Sequence, residues 1–564
     1  MKKPLVLIIR DGWGIGHKDD PGNAVAQAKT PNLNRYLSAY PHSRLGASEE
    51  AVGLLAGSQG SSEVGHLNIG AGRIVEQEIV RINKMIKNGS FFNDPKLLNA
   101  IENCKKKNSD LHLMGLVQDQ GVHAVEEHLY ALLELAGQHK LTNVYIHFFS
   151  DGRDTPPKSA LTYLARLEDK IKKIGIGRIA SVMGRYYAMD RDLNWNRTKI
   201  AYDALTAGKG LTASSAIEAI EAAYNRARAA IEMGKTGIKH TEPYETDEFI
   251  KPTLITDASN KPIGIIKPGD SVIFFNYRQD RAIQLSMAFV ENNFVGFDRR
   301  KPMNIYFLGL TKYYDSFENY VVPPMNMSNI LGEVLSKNGL YQLRISETQK
   351  FRHVTSFLNS KHEEPFHGED RILVDSPKVP EDTMPEMSAY DITKVLLNTI
   401  NSGSKAAKEM AAAMKNVKMY KSISNLHSDD YYDVIICNYV NGDMVGHTGV
   451  LKAGIKAAEV VDECVGKIVD AVLKKDGVVM ITADHGNLEQ MIDPQTNGVQ
   501  TAHTLNDVHF IYIANDPKAV RLREKGILSD IAPTMLEILG IPKPDEMTAN
   551  SLFKPVRDLK SNEH

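Results

Sequence analysis

Short segments that are apolar on both faces recur along this 564-residue chain and alternate with longer amphipathic stretches. The apolar segments are residues 5–9, 144–149, 272–275, 304–308, 434–437 and 478–482, with 111–117 as a further candidate. A strand that is apolar on both faces must be covered on both faces, as parallel strands are in α/β sheets. Helix candidates lie between these strands at 124–137, 159–174 and 453–474. The pattern predicts an α/β fold with mainly parallel sheets.

Charge, chain start and cysteine content exclude several classes of protein. The 67 Lys and Arg residues nearly balance the 69 Asp and Glu residues, which argues against a nucleic-acid partner. The first apolar run ends after residue 9, too early for a secretory segment, and no run reaches the roughly 20 apolar residues of a membrane helix. Three widely spaced cysteines are typical of a reducing compartment. We therefore expect a cytoplasmic protein with no membrane partner.

Acidic and histidine side chains follow three of the predicted strands. They are Asp11 after 5–9, Asp443 and His447 after 434–437, and Asp484 and His485 after 478–482, with His503 further along the chain. One such residue alone is more often a turn residue or a satisfied structural histidine. If the strands are neighbours, however, these groups converge where α/β sheets bind ligands. Mixed Asp and His donors suit Mn²⁺ or Zn²⁺ better than Ca²⁺, and unpaired carboxylates are costly to bury. The pattern predicts a divalent metal site, most simply with two ions.

A serine pair precedes a segment compatible with a helix. Small residues lead into Ser61 and Ser62, and residues 63–70 follow. A metal ion can lower the pKa of a serine hydroxyl and make it a nucleophile, and a helix N-terminus can bind phosphate. On chemistry alone either serine is a candidate nucleophile, and a simple helix cap is the structural alternative.

Arginines are concentrated in three later motifs. The candidate anion-binding residues are His123, Arg153, Arg185, Arg191, Arg278 and Arg281, with Asp154 next to Arg153. Arg278 and Arg281, three residues apart, are predicted to share a helix face. Because a guanidinium binds an oxyanion through two hydrogen bonds, the set suggests a clamp for a small, multiply anionic substrate. The alternative is a solvated surface of ion pairs.

These motifs are similar to those of the cofactor-independent phosphoglycerate mutases, a family within the alkaline phosphatase superfamily. The resemblance rests on residues 11–14, 62–73, 151–154, 184–192 and 482–487, and it extends from Pro4 to about Leu552. It implies an alkaline-phosphatase-like, doubly wound sheet domain formed by residues 1–75 and 325–564. A second α/β domain that binds substrate, residues 76–324, would be inserted into it.

The resemblance also implies an isomerase of glycolysis and gluconeogenesis. It would interconvert 3-phosphoglycerate and 2-phosphoglycerate through a phosphoserine intermediate on Ser62, which the motif selects over Ser61. Two divalent ions would be required, most simply Mn²⁺, with Mg²⁺, Co²⁺ and Zn²⁺ as alternatives, and no 2,3-bisphosphoglycerate. The family suggests a monomer whose partners are small phosphoglycerates.

The roles of individual residues are carried over from the family motifs. One ion would bind Asp443, His447 and His503, and the other would bind Asp11, Ser62, Asp484 and His485. The substrate would be held by His123, Arg153, Asp154, Arg185, Arg191, Arg278, Arg281 and Lys350. Asp154 would act as the acid and base, and Lys350 would neutralise charge on the phosphoryl group.

Four departures from the family pattern are visible. Ser61 replaces a usual Asn, Arg10 stands where an apolar residue is common, and Gln349 stands where Glu is common. The stretch 226–246 is longer than in bacterial members and is predicted to be a surface insertion. The alternatives are a related metal-dependent phosphatase or sugar-phosphate mutase, or a non-catalytic scaffold.

Overall fold

A computed structural model describes residues 3–232, 245–299, 303–422 and 431–554. The chain forms two compact units. The split unit comprises Met1–Glu76 and Met325–His564, and the inserted unit comprises Gln77–Pro324. Within the predicted insertion at 226–246, residues 233–244 lie outside the described residues.

Strands and helices alternate through both units. The strands are β1 (Leu5–Arg10), β2 (His42–Gly46), β3 (Leu111–Leu116), β4 (Val144–Ser150), β5 (Arg178–Gly184), β6 (Leu211–Ala213), β7 (Thr253–Ile255), β8 (Ser271–Phe274), β9 (Tyr306–Thr311), β10 (Tyr320–Val322), β11 (Gln342–Glu347), β12 (Glu369–Val374), β13 (Val417–Ser422), β14 (Val434–Tyr439), β15 (Val478–Thr482), β16 (Val508–Ile513) and β17 (Lys525–Ile527). The α-helices are α1 (Ala24–Gln27), α2 (Pro31–Ala39), α3 (Ser62–Ala71), α4 (Glu78–Asn88), α5 (Pro95–Lys107), α6 (Glu126–Gln138), α7 (Ala160–Ile174), α8 (Arg185–Ala188), α9 (Trp195–Ala207), α10 (Ala216–Glu232), α11 (Ile283–Val290), α12 (Leu331–Lys337), α13 (Ala389–Ser402), α14 (Ser404–Ala413), α15 (Asn441–Gly446), α16 (Leu451–Lys474) and α17 (Ile531–Ile538).

The split unit contains a sheet in the order β13-β12-β11-β14-β1-β15-β16-β2-β17. Its centre, from β12 to β15, is parallel, and β13 and β16 run antiparallel to their inner neighbours. Every residue of β1 and β14 is buried, which explains the apolar runs at 5–9 and 434–437 within them. The long helix α16 buries Ala457, Val461 and Val465 at spacings of four residues, as an amphipathic helix over a sheet does.

The inserted unit contains a second sheet in the order β10-β9-β8-β3-β4-β5-β7-β6. The strands from β10 to β5 are parallel, and β7 is antiparallel to β5. Two α/β sheets, each with a parallel centre, therefore confirm the predicted fold class. In the described part of the chain, no helix is both long and apolar enough to cross a membrane.

One local prediction is wrong: Arg278 and Arg281 do not share a helix face. Helix α11 begins only at Ile283, after both arginines. The backbone amides of Tyr277 and Arg278 both donate to the carbonyl of His123, at 3.0 and 3.3 Å. These bonds hold the end of β8 against the loop after β3, so the chain enters the helix later than the residue spacing suggests.

A buried histidine in the inserted unit makes stability depend on pH. His128 of α6 is buried, and its Nε2 donates to Asn83 Oδ1 at 2.8 Å while Nδ1 has no hydrogen-bond partner. Burial lowers the pKa of His128 to about 3. The unfolded chain therefore binds a proton below about pH 6.5 that the folded chain does not, so stability is lost as pH falls.

We predict that His128 accounts for about 1.4 kcal/mol of unfolding free energy lost between pH 7.5 and pH 5.5. The His128→Gln variant keeps a side-chain N–H donor but cannot titrate. Its loss of stability over this range, measured by urea unfolding, should be smaller than that of the native chain by this amount. A packing defect in the variant would lower its unfolding free energy equally at both pH values and so would not change the loss between them. Identical losses in the two chains would therefore contradict the prediction.

Candidate active site

Four neighbouring parallel strands deliver polar side chains to one edge of the split-unit sheet. In the order β11-β14-β1-β15, these strands lead into Lys350, Asp443, Asp11 and the Asp484-His485 pair, respectively. The expectation that the three acid-bearing strands are neighbours is confirmed, since β1 pairs with both β14 and β15. Parallel strands end at the same edge, so these groups converge there.

Asp443, His447 and His503 form a compact set of potential metal ligands. Asp443 Oδ1 lies 3.2 Å from His447 Nε2 and 3.0 Å from His503 Nε2, and the two histidine nitrogens are 3.1 Å apart. Donor atoms that surround one ion at about 2.1 Å lie about 3 Å from one another. The three atoms therefore have the spacing that a single divalent ion requires.

The second predicted ligand set surrounds the hydroxyl of Ser62. Ser62 Oγ lies 3.2 Å from Asp11 Oδ1 and 2.9 Å from His485 Nε2. His485 Nε2 is also 3.5 Å from Asp11 Oδ1 and 3.7 Å from Asp484 Oδ2. His485 Nε2 also lies 3.8 Å from Asp443 Oδ1, so this imidazole lies between the two ligand sets.

Lys350 provides positive charge at the centre of the cluster. Its Nζ lies 3.0 Å from Asp11 Oδ1 and 2.5 Å from Asp443 Oδ2, and it donates to Ser62 Oγ. Burial alone would lower the pKa of Lys350, but Asp11 and Asp443 outweigh it and raise that pKa above its usual value.

The buried charges in this cluster stabilise one another. Burial would also raise the pKa of Asp11, but Lys350 and His485 hold it well below its usual range. Burial would lower the pKa of His485, whereas Asp484 and Asp11 raise it to about 10. Lys350 likewise lowers the pKa of Asp443, so Asp11 and Asp443 are ionised and require cations nearby.

The donor set fits divalent metal ions. Asp484 Oδ2 is buried and has no hydrogen-bond partner among the described residues. Three carboxylates and, with His66 and His447 included, four imidazoles meet here, a combination that suits Mn²⁺, Co²⁺ or Zn²⁺. Such ions would replace the ammonium of Lys350 as the main counter-charge to the acids.

The chain around Ser62 is built for close packing against the acids. Helix α3 begins at Ser62, and Ser61 is its N-cap, with the Ser61 hydroxyl accepting from Val64 N at 3.4 Å. A Cβ at Gly65 would lie 2.6 Å from the carbonyl oxygen of Asp484, so only glycine lets the helix approach this closely. Ser62 therefore lies within the ligand cluster, whereas Ser61 caps the helix.

Three polar residues that the sequence analysis gave no role lie next to the carboxylates. Asn438 Nδ2 donates to Asp11 Oδ2 at 2.7 Å, and Asn487 Nδ2 donates to Asp443 Oδ1 at 3.3 Å. His66 Nδ1 hydrogen-bonds the carbonyl of Ser62 at 2.8 Å and lies 3.2 Å from Asp484 Oδ2 without a hydrogen bond to it. The sequence carried one signal for His66: it lies four residues after Ser62, which places both on the same face of a helix.

The three residues that depart from the expected family pattern, Arg10, Ser61 and Gln349, are not among the predicted metal ligands. The guanidinium of Arg10 is buried and stacks over the ring of Trp13, 4.5 Å from its centroid. Gln349 donates to Glu381 Oε1 at 2.8 Å. Ser61, as described, caps α3.

The other predicted substrate residues lie in the inserted unit, where one group is buried. Arg185, only 2% exposed, donates to Asp154 Oδ2 at 2.5 Å and to Asp151 Oδ1 at 2.7 Å. Its second terminal nitrogen donates to His123 Nε2 at 2.9 Å. Burial, followed by the charge of Arg185, lowers the pKa of His123 to about 4, so this imidazole is neutral at pH 7.

A more exposed group adjoins it. Arg191 Nη1 lies 2.6 Å from Asp280 Oδ2, and Arg278 Nε lies 3.3 Å from Asp280 Oδ1. Arg281 donates to the carbonyl of Met189 at 3.1 Å. Arg153 lies 3.6 Å from Glu248 and is more than half exposed. Asp280, which the sequence analysis did not single out, joins the two parts through His123 Nδ1 at 3.6 Å.

Comparison with family models matches both units separately. Residues 82–315 match the model described as the BPG-independent PGAM N-terminus, and residues 400–543 match the metalloenzyme superfamily. The first range contains the arginine clusters and the second contains five of the predicted metal ligands. Asp11, Ser62 and Lys350 lie outside both ranges.

Similar proteins cover nearly the whole chain. Proteins named 2,3-bisphosphoglycerate-independent phosphoglycerate mutase from Clostridium novyi and Acetivibrio thermocellus are 48% and 50% identical over 98% of this chain and 100% of their own length. A form named mutase 1 from Methanosarcina acetivorans is 49% identical over 98% of this chain and 99% of its own.

A solved structure extends the likeness to the fold. The crystal structure of Leishmania mexicana phosphoglycerate mutase at low cobalt concentration is 31% identical, covers 98% of both chains and has a TM-score of 0.58. With identities of 48–50% over nearly full length, the chain belongs to the family of 2,3-bisphosphoglycerate-independent phosphoglycerate mutases.

Proposed function

We propose that this chain interconverts 3-phosphoglycerate and 2-phosphoglycerate, in glycolysis and gluconeogenesis, through a phosphoserine on Ser62. The observation that carries the proposal is the position of Ser62 Oγ, which contacts Asp11, His485 and Lys350 at the first residue of α3. The split unit would bind the metal ions and the inserted unit the substrate. The reaction would require two divalent ions, most simply Mn²⁺, and no 2,3-bisphosphoglycerate.

Ser62 is the proposed nucleophile. When bound, the two ions would lower the pKa of the serine hydroxyl and neutralise charge on the phosphoryl oxygens. Asp443, His447 and His503 would hold one ion, and Asp11, Ser62, Asp484 and His485 the other. Ser62 would react as the alkoxide, its proton having passed to solvent beforehand. Its Oγ attacks phosphorus as the bond to the glycerate oxygen breaks, and Lys350 stabilises the charge that develops. In the second half-reaction the other glycerate hydroxyl attacks phosphorus and Ser62 leaves.

Asp154 is the proposed acid and base. The glycerate oxygen that loses the phosphoryl group must gain a proton, and the hydroxyl that attacks next must lose one. The two transfers balance, so one carboxyl group can perform both. Asp154 Oδ2 is fixed by Arg185 at 2.5 Å and remains partly exposed, which supports this role.

The inserted unit would bind glycerate through its cationic cluster. His123, Arg153, Arg185, Arg191, Arg278 and Arg281 are the proposed ligands for the carboxylate and phosphate oxygens. Paired N–H groups match the geometry of these oxyanions, and retention of glycerate keeps the second hydroxyl available. We further propose that the enzyme acts as a cytoplasmic monomer, a location consistent with its three free, buried cysteines.

Phosphorus NMR tests the proposal directly and includes metal removal. Native chain loaded with Mn²⁺ and given 3-phosphoglycerate, without 2,3-bisphosphoglycerate, should form 2-phosphoglycerate. Treatment with a chelator should abolish conversion, and Mn²⁺ should restore it. Release of inorganic phosphate instead would identify a phosphatase, and no reaction with Mn²⁺, Mg²⁺, Co²⁺ or Zn²⁺ would contradict the proposed activity.

Ser62→Ala should abolish mutase activity while the chain stays folded, because it removes the only proposed nucleophile. Ser61→Ala is the matched control, since Ser61 caps α3 and lies outside the ligand cluster. We expect Ser61→Ala to cost about 1 kcal/mol of unfolding free energy and to leave mutase turnover largely intact. Mutase assays and thermal unfolding of both variants check this prediction. Residual turnover near the native rate in Ser62→Ala would exclude the covalent mechanism.

Arg278→Ala should raise KM for 3-phosphoglycerate by about tenfold or more, because it removes a charged two-point contact to an anion. Arg178→Ala provides a control in the same unit, since Arg178 packs on the ring of Tyr145 and lies outside the cluster. Steady-state kinetics of the two variants should separate binding from turnover. Equal KM values in the native chain and Arg278→Ala would mean that this side chain does not contact substrate.

A further inference from the structure

Asp280 lies between three residues to which substrate binding is assigned above. Its Oδ2 is 2.6 Å from Arg191 Nη1, and its Oδ1 is 3.3 Å from Arg278 Nε and 3.6 Å from His123 Nδ1. The side chain is 31% exposed overall, but Oδ1 is buried. One carboxylate thus contacts two flexible cations and one buried imidazole.

The tautomer of His123 follows from its hydrogen bonds. Arg185 Nη2 lies 2.9 Å from His123 Nε2, and a guanidinium can only donate, so Nε2 must present its lone pair. Because the imidazole is neutral at pH 7, its single proton is then on Nδ1. Nδ1 and Asp280 Oδ1 are both buried without a hydrogen-bond partner, and they face each other. The Nδ1–H group is a donor and Asp280 Oδ1 is an acceptor, so each can satisfy the other.

The two arginines gain their order from the same carboxylate. Arg191 and Arg278 have side-chain exposures of 43% and 51%, so packing alone restrains them weakly. Arg278 has no other ion-pair partner within 4 Å among the described residues. Fixing a mobile side chain on binding costs conformational entropy, and a partner that fixes it beforehand avoids this cost.

We propose that Asp280 is a positioning residue. It accepts a hydrogen bond from the Nδ1–H group of His123, and it holds Arg191 and Arg278 in place for the oxygens of an anionic substrate. The identity of that substrate rests on the proposed function, whereas the tautomer of His123 does not. The alternative role is competition, in which the carboxylate of Asp280 occupies the two arginines and excludes the substrate from them. The two roles predict opposite changes in affinity when Asp280 is removed.

The first test uses the native full-length chain and needs no turnover. The histidine rings are labelled with ¹⁵N, and the signals of His123 are identified by their loss in His123→Gln. Long-range proton–nitrogen correlation at pH 7 should find the proton on Nδ1 and a bare Nε2. A proton on Nε2 would overturn the proposal, because Asp280 would then face a lone pair.

The second test compares Asp280→Ala with Asp280→Asn. Affinity for 3-phosphoglycerate is measured by calorimetry on the full chain, and KM and kcat are measured where turnover exists. In Asp280→Ala we expect Kd and KM to rise about 10- to 100-fold, the range that corresponds to releasing two arginines, with a smaller change in kcat. Asn keeps an acceptor oxygen without the charge, so Asp280→Asn should recover part of the loss. Unchanged or tighter binding in Asp280→Ala would overturn the proposal in favour of competition.

Two controls separate this inference from the proposed function. Asp257→Asn changes an acid in the same unit that caps a surface turn at residues 257–261, and it should leave Kd unchanged. If the native chain binds 3-phosphoglycerate but does not isomerise it, the proposed function fails while the affinity and tautomer tests still judge Asp280.

Discussion

The need to neutralise buried carboxylates governs the split unit. Parallel strands β14, β1 and β15 end side by side and bring Asp443, Asp11 and Asp484 together in the interior. Like charges in a region of low dielectric repel strongly, so the fold must supply cations there. Lys350, delivered by the next strand, and His485 supply them within the chain, and the remaining donor atoms are suited to metal ions. A donor set suited to divalent cations is thus a consequence of the sheet order.

The charged side chains of the two predicted sites differ in burial. In the split unit, five charged groups of the cluster are buried and follow strand ends: Asp11, Lys350, Asp443, Asp484 and His485. In the inserted unit burial is graded, from Arg185 at 2% exposure to Arg153 at 54%. A buried guanidinium held by two carboxylates is already oriented, whereas an exposed one needs a partner to be held in place. The inserted unit therefore combines a rigid element, Arg185 with Asp154, and an adaptable rim.

The sequence predicted best what depends on strand order and local pattern. The apolar runs at residues 5–9, 434–437 and 478–482 located the central strands, and the residues after them located the acid cluster. The choice between Ser61 and Ser62 needed either a family motif or the structure, because both have the same chemistry. Arg278 and Arg281 were wrongly placed on a helix, since backbone bonds to His123 delay α11. Asp280 was not singled out because two of its three partners, His123 and Arg191, lie in other loops that only the tertiary fold brings near it.

The proposed chemistry makes the inserted unit decisive for the outcome of the reaction. A phosphoserine can pass its phosphoryl group either to the second hydroxyl of glycerate or to water, and the split unit alone does not distinguish these acceptors. Well-oriented groups reach effective molarities of about 10⁵–10⁸ M, so a hydroxyl held in place can react far ahead of water. That advantage depends on orientation as well as affinity, since glycerate must be held while its other hydroxyl turns toward phosphorus. In the proposed mechanism, residues that order the arginines would therefore favour isomerisation of the substrate over its hydrolysis.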